Sequence, residues 1–332
     1  MRYMLMLVIA VLSIQNTYAD PALLHRKDAQ AFIQEMVAHD HFSPWQVRKI
    51  LANAVFQPHI IESMDRPYEK KNWDVYRDLF LTPERLQSGL VFWRNNQQVL
   101  QRVAKEYGVP PEMIVAILGV ETLYGKRQGD YRVLDALTTL AFYYPARAPY
   151  FKKELREFLL LCREHHVSPT VYKGSYAGAM GKPQFMPSSY RTYAVDYYGH
   201  GRPDLMSKDR DVIISVANYF KQHGWQTQQT DIAEKVSVAP EHLRRLVLNS
   251  KKPNYTLPQL RQAGVRPPLR YAAGGHPREA GLLELMTDKG AEYWMAYPNF
   301  YVITRYNTSP QYALVVHLLA QSLREHYVGM TS

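Results

Sequence analysis

Apolar residues recur along this chain mostly at intervals of three and four, the period of a helix with one buried face. From Asp28, Phe32 and Met36 share a face and predict a short helix. Ser43-Pro44-Trp45-Gln46 reads as a capping box with proline in the first turn, and Val47, Ile50, Leu51 and Ala54 follow at helical spacing. Residues 56–75 show no regular period. Thr82-Pro83 opens a long helix with Leu86, Leu90, Trp93, Leu100, Ala104 and Tyr107 on one side, and Gly108 closes it. Pro110-Pro111 opens the next helix, which stops at Gly125. Residues 150–166 predict another, with Phe151, Leu155, Phe158 and Leu159 inward. Residues 173–187 are glycine-rich and read as loop, with a helix starting at Pro187. Ser207 caps a helix bearing Ile213, Val216, Ala217 and Phe220, closed by Gly224, and Ser309-Pro310 opens the last one.

Between about Gln226 and Pro298 the helical stripes give way to short Val, Leu and Tyr runs broken by Pro, Gly and Asn. There LLELM, Thr287-Asp288-Lys289-Gly290 and AEYWMAY predict a β-hairpin. The pattern therefore describes a mainly α protein with a small inserted β-rich domain. At 332 residues the chain is long enough for two or three lobes. The changes of texture divide it into residues 20–105, 106–225, 226–297 and 298–332, after a leader at 1–19.

That leader has its own pattern. Arg2 is the only charge before Asp20, Met4 to Ile14 is apolar, and Thr17-Tyr18-Ala19 places small residues at −3 and −1 of a cut after Ala19. This predicts a cleavable secretory signal peptide. The alternative is an uncleaved anchor, although the run is shorter than the roughly 20 apolar residues of a membrane span. No cysteine lies near the cut, so a lipoprotein anchor is excluded.

Composition narrows the partners. Lys plus Arg is 40 and Asp plus Glu is 30, a net charge of +10. The basic residues are scattered, with short clusters such as Lys70-Lys71 and Arg244-Arg245. No basic helix, zinc module or nucleic-acid motif accompanies them, so nucleic acid is not the expected partner. The single cysteine, Cys162, rules out a disulfide within the chain and any zinc site built on two cysteines. The 25 tyrosines are the unusual feature, because a tyrosine ring stacks on sugars or bases while its hydroxyl stays bonded.

One residue conflicts with its pattern. In PEMIVAILGVETLYG, Ile114, Ile117 and Leu118 mark a buried face, and Glu121 is the next position on it, seven residues after Ile114. Burial and a helix C-terminus both disfavour the carboxylate form, so a proton is held there as a general acid requires. The competing reading is a structural carboxylate paired with a buried arginine or with backbone amides. In SYAGAMGKPQFMPSSY, Gly178 and Gly181 permit tight turns, and Gln184 can donate and accept toward a sugar amide or hydroxyl. A plain interhelical loop is the alternative. Asp135, further along, reads as packing or capping.

GVETLYG, YYPARAPYF, SYAGAMGKPQFMPSSY, SVANYFKQHGW and NFYVITRYN, in this order, resemble the membrane-bound lytic murein transglycosylase B family. The resemblance covers nearly all of the exported chain. It implies a lysozyme-like catalytic core at 106–225, an additional helical lobe and the small inserted β domain. It implies cleavage of the β-1,4 bond between N-acetylmuramic acid and N-acetylglucosamine in peptidoglycan, with a 1,6-anhydro ring formed and no water consumed. Glu121 matches the family's single catalytic acid. Ser175 matches the position that orients the N-acetyl group, and Gln184, Phe185 and Tyr219 fall at substrate-contact positions. Tyr301, Tyr306 and Asn307 match an aromatic wall near the acid, Tyr76 a cleft tyrosine, and Arg147 a cleft arginine for peptide carboxylates. Tyr107 and Tyr312 read as helix packing. The implied location is the periplasm of a Gram-negative bacterium, with cell-wall synthesis or division proteins as possible partners.

The chain departs from the family pattern in places. Ala146-Arg147 stands where members often carry two arginines, and Lys182-Pro183 precedes the glutamine. The family's calcium loop corresponds to DYYGHGRPDLMSKDRD, Asp196 to Asp211. There Tyr198, His200 and Arg202 occupy or adjoin ligand positions that need oxygen donors, so calcium binding is expected to be lost or very weak. No cofactor is expected. A hydrolytic muramidase and a catalytically idle peptidoglycan-binding protein are the competing functions.

Overall fold

A computed structural model describes residues 22–65, 71–199, 201–229, 231–266 and 279–331. The predicted signal peptide lies outside the described residues. The chain is mainly helical, with a small sheet inserted near its C-terminal end. Helices α1 (Lys27–Asp40), α2 (Pro44–Ala52) and α3 (Pro58–Met64) come first. They precede α4 (Trp73–Phe80), α5 (Pro83–Asn95), α6 (Gln97–Tyr107) and α7 (Pro111–Thr122). Next are α8 (Val133–Tyr143), α9 (Ala148–His165), α10 (Pro187–Tyr193) and α11 (Asp209–Gln222). Strands β1 (Tyr131–Arg132) and β2 (Lys173–Gly174) form a minimal ribbon among them.

The capping box at Ser43 is present, with reciprocal bonds between Ser43 and Gln46. Four details differ from the sequence pattern. The stretch read as irregular holds α3 and the start of α4 among its described residues; α3 buries only Ile60 and is too short to display a period. The long helix predicted from Thr82 is two helices, broken at Asn96, whose Nδ2 donates to the Phe92 carbonyl and competes with the helical ladder. Helix α11 starts at Asp209 without a side-chain cap, because the Ser207 hydroxyl donates to Asp204 instead. Helix α8 is a further element that the pattern did not mark; it opens at Arg132 without a side-chain cap and is buried from Val133 to Phe142.

The insertion contains β3 (Ala233–Val238), β4 (Tyr255–Thr256), β5 (Val265–Arg266), β6 (Glu279–Thr287) and β7 (Gly290–Ala296), with short helices α12 (Pro240–Leu243) and α13 (Leu257–Gln262). They form an antiparallel sheet in the order β4-β6-β7-β3-β5. The predicted hairpin is β6–β7, turning between Thr287 and Gly290. Alternation sends Leu283, Leu285 and Trp294 into the main core, while Leu282 and Met295 join Val236, Leu260 and Val265 in a separate small core. Helices α14 (Pro298–Ile303) and α15 (Pro310–Thr331) return to the helical body. No helix among the described residues is long and apolar enough to cross a membrane.

Helix α7 is the axle of this body. Met113 to Val120 are all buried, and α5, α11 and α15 pack around it. Its C-terminal end is tied down by Arg85, which is itself buried. Arg85 Nε donates to the Gly119 carbonyl at 2.8 Å, and Nη1 donates to the carbonyls of Leu79 at 3.2 Å and Phe80 at 2.5 Å. One guanidinium thus satisfies carbonyls of α7 and of the α4 end together, and it lies over the Phe80 ring. Arg85→Leu strands these carbonyls in the core and is expected to cost about 2–4 kcal/mol, as charged donors to buried acceptors are lost. Urea unfolding checks this, and a loss below about 1 kcal/mol contradicts the clamp.

Candidate active site

Glu121 occupies the last turn of α7, where an otherwise apolar helix reaches the surface; it is half-buried. The turn is made abruptly. Leu123, Tyr124 and Gly125 all adopt positive φ (49°, 60° and 92°), so the chain reverses within three residues. Only glycine adopts this region without cost, so Leu123 and Tyr124 must be held by their contacts. Tyr124 donates its hydroxyl to the Arg85 carbonyl at 3.0 Å and stacks on Phe92. That hydroxyl sits where Gly89 and Gly119 bring α5 and α7 close together; a Cβ at Gly119 would lie 2.5 Å from it. Thr122 Oγ1 accepts from Gly125 N at 3.0 Å and donates to the Lys182 carbonyl at 2.8 Å, joining the turn to the glycine-rich loop.

The other predicted residues arrive from distant parts of the chain. Tyr306, after α14, donates to the Pro183 carbonyl at 2.8 Å, and its ring centroid lies 4.8 Å from that of Tyr219. Tyr219, on α11, donates to the Arg305 carbonyl at 2.6 Å and stacks on His223. Phe185 is buried and packs against both tyrosines, behind the wall they form. Burial pushes the phenols of Tyr306 and Tyr219 up, and the nearby Glu121 charge adds to the effect at both. They stay neutral hydroxyl donors. Tyr76, on α4, is buried against Phe80 and close enough to Tyr312 to act on its ionisation.

Tyr312 is the group that sequence reasoning missed. It reads as a packing residue on α15, yet its hydroxyl donates to Glu121 Oε1 at 2.5 Å. Burial, then the Glu121 charge, pushes this phenol well above its ordinary value. A helical period assigned Tyr312 to the inward face correctly. It could not show that this face meets the end of α7, a contact across 191 positions.

Other predicted residues are committed differently. Ser175 Oγ accepts from Ala177 N at 3.2 Å and Ala179 N at 3.1 Å, shaping the loop. Gln184 has φ +52°, and its Nε2 donates to the carbonyls of Gln128 at 3.1 Å and Gly181 at 2.9 Å. Lys182, a departure from the family pattern, pairs with Asp209 at 2.5 Å. Asn307 Oδ1 accepts from Ser309 N and shapes the entry to α15. Arg147 is exposed, 4.6 Å over the Tyr150 ring, and Tyr150 is near enough to Tyr219 to act on its ionisation. Tyr301 is not brought to the tyrosine cluster. It turns to the sheet, where its hydroxyl fills the space above Gly281.

The loop from Asp196 to Asp211 does not present a ligand cage. Asp196 accepts from the amides of Tyr198 and Arg202, and buried Asp211 from those of Tyr197 and Asp204. Asp204 accepts from the amides of Met206 and Ser207. Arg202 extends to the His165 carbonyl. The carboxylates close the loop on itself, and no group of three His, Cys, Asp or Glu suited to a metal ion occurs among the described residues. His200 lies outside those residues.

Comparison with known proteins sets this geometry in context. The transglycosylase SLT domain matches residues 25–321. The membrane-bound lytic murein transglycosylase B of Escherichia coli is 43% identical over 306 residues, covering 89% of this chain and 82% of that protein. The E. coli lytic transglycosylase solved in complex with calcium superposes with a TM-score of 0.82 at 42% identity, covering 94% of this chain and 97% of that one. SltB3 from Pseudomonas aeruginosa, solved with NAG-NAM-pentapeptide, gives 0.76 at 29% identity, covering 89% and 78%.

Gly119→Ala tests the local construction. The added methyl has no room beside the Tyr124 ring, so a loss of about 1–3 kcal/mol is expected in thermal or urea melts. Unchanged stability would mean that Tyr124 does not lock the turn.

Proposed function

The chain belongs to the transglycosylase SLT domain family of lytic murein transglycosylases, and on that premise we propose that it cleaves the β-1,4 bond between N-acetylmuramic acid and N-acetylglucosamine with Glu121 as its single acid and base. The observation that carries this reading is the Tyr312 hydroxyl bonded to Glu121 Oε1 at the end of a buried helix. A carboxyl fixed in this way keeps one orientation through both proton transfers. In the first step protonated Glu121 gives its proton to the leaving glycosidic oxygen as the C1–O bond breaks. The substrate's own N-acetyl oxygen stabilises the cation at C1. In the second step the Glu121 carboxylate takes the proton of the muramic C6 hydroxyl as that oxygen bonds to C1. The 1,6-anhydro ring closes, the acid is regenerated, and no water enters.

The phenols around Glu121 support this scheme. Tyr306, Tyr219 and Tyr312 are held neutral by burial, so none supplies a second anionic nucleophile near neutral pH. Two-carboxylate glycosidases need a partner acid flanking the bond. Here the N-acetyl group takes over that role. Arg147 and the net charge of +10 suit a polymer whose peptide stems carry carboxylates. The relative solved with NAG-NAM-pentapeptide is consistent with such a substrate. We further propose that the chain is exported to the periplasm and works without calcium, the Asp196 to Asp211 loop being closed by its own amides.

Mass spectrometry of digested sacculi tests the chemistry. Anhydro ends, one water lighter than reducing ends, are expected; reducing ends alone would indicate a hydrolytic muramidase. Glu121→Gln is expected to lower turnover by about 10²–10⁴-fold with folding unchanged, and full activity would remove Glu121 from its role. Tyr312→Phe should lower kcat by roughly 10-fold or more, the worth of one hydrogen bond to a charged group. Calorimetric titration with calcium should give no saturable heat in the micromolar range; tight binding would refute the loop reading.

A further inference from the structure

The side chain of Lys182 takes no part in the scheme above, yet it runs from the turn after Glu121 to the start of α11. Its backbone already joins two segments. The Lys182 amide donates to the Leu205 carbonyl at 2.9 Å, and its carbonyl accepts from Thr122 Oγ1 at 2.8 Å. The ammonium adds a third: Nζ donates to Asp209 Oδ1 at 2.5 Å and to the Ser207 carbonyl at 3.3 Å. Between these ends the methylene stem lies across Gly125, the last residue of the turn. A Cβ on Gly125 would stand 2.9 Å from Cδ and Cε and 3.0 Å from Cγ.

This pair differs from an open surface ion pair. The lysine side chain is 15% exposed and the aspartate 34%, so solvent and salt screen them less. Asp209 also lies in the first turn of α11, where the helix dipole favours a negative charge. The carboxylate is therefore held from its own helix, and the lysine is anchored to an element other than the turn it covers.

Both ends of the bridge bear on the site. Helix α11 carries Tyr219, and Pro183, the residue after Lys182, accepts from the Tyr306 hydroxyl. At the other end Leu123 and Tyr124 hold a left-handed backbone that costs energy, so the turn relaxes wherever a restraint is removed. Glu121 immediately precedes Thr122 and moves with it.

We propose, on the reading of Glu121 as the acid, that Lys182 is a positioning residue: paired with Asp209, its side chain clamps the turn after Glu121 onto α11 and fixes the carboxyl against the wall of Tyr219 and Tyr306.

Kinetics of the full chain on a defined oligomer of alternating N-acetylglucosamine and N-acetylmuramic acid, run well below the melting range of each variant, test it. Lys182→Met keeps the stem over Gly125 and removes the ammonium, while Asp209→Asn removes the partner charge. Each should lower kcat about 10-fold with KM within about twofold, the signature of a misplaced reacting group. The double variant should fall no further than either single one, since both break one bridge. Lys208→Met, at the exposed neighbouring cation, should retain wild-type kcat. Hydrogen exchange adds a readout independent of turnover: the Gly125 amide, bonded to Thr122 Oγ1 at 3.0 Å, should exchange about 10-fold faster in both single variants. If Lys182→Met does not fold, half-buried Asp209 carries the test. Unchanged kcat or unchanged Gly125 exchange in the single variants, additive losses in the double one, or an equal loss in Lys208→Met overturns the proposal. Full activity in Glu121→Gln overturns the acid reading and the proposal with it. Loss in Glu121→Gln beside wild-type kcat in Lys182→Met and Asp209→Asn overturns the bridge alone.

Discussion

A fully buried helix has to end somewhere, and its last carbonyls need donors wherever it does. Helix α7 is enclosed from Met113 to Val120, so after Glu112 in its first turn it can present a polar side chain only in its C-terminal turn. Arg85 meets the requirement from inside the core, bonding Gly119 together with the end of α4. The amides of the turn itself meet it too, Leu123 N donating to the Gly119 carbonyl and Tyr124 N to that of Leu118, and the Thr122 hydroxyl passes the connection on to the loop at Lys182. Glu121 is held at the boundary between core and surface because this end of the helix has no freedom to fray. The catalytic scheme needs the same property, a carboxyl that does not move between giving and taking a proton.

The tyrosines follow from that placement. A carboxyl group at the edge of a core needs neighbours that tolerate burial and still offer a hydroxyl, and tyrosine does both. Tyr312 bonds Glu121 directly, while Tyr306 and Tyr219 donate to backbone carbonyls and turn their rings to the cluster. Phe185 backs them without a polar group because none is needed behind the wall. The wall is thus assembled from α11, the turn after α14, and α15, on one side of the end of α7.

The loop at Asp196 is closed by its own backbone amides. Phenol, imidazole and guanidinium side chains stand among its carboxylates. The carboxylates turn to amides of the same loop, and Gly199 and Gly201 supply the positive φ that lets it fold back. Hydrogen bonds hold the loop's shape here.

The sequence by itself determined much of this protein. The period of apolar residues marked α1, α2, α7 and α9, Ser309-Pro310 marked the start of α15, the change of texture marked the inserted sheet, and Glu121 stood out as a charge on an apolar stripe. Such signals are local, carried by residues within a few turns of one another. What the sequence left unread is of two kinds. Helix α8 opens at Arg132 with no side-chain cap to mark its start, and Asn96 breaks a helix that the apolar stripe alone would continue. The site partners depend on contacts across great separations: Tyr312 on Glu121, Tyr306 on Pro183, and Tyr301 turned away to Gly281. Spacing along a chain shows which face of an element is inward. Only the packing of one element on another decides which of those inward residues meet, and so whether a buried tyrosine fills space or holds the Glu121 carboxyl.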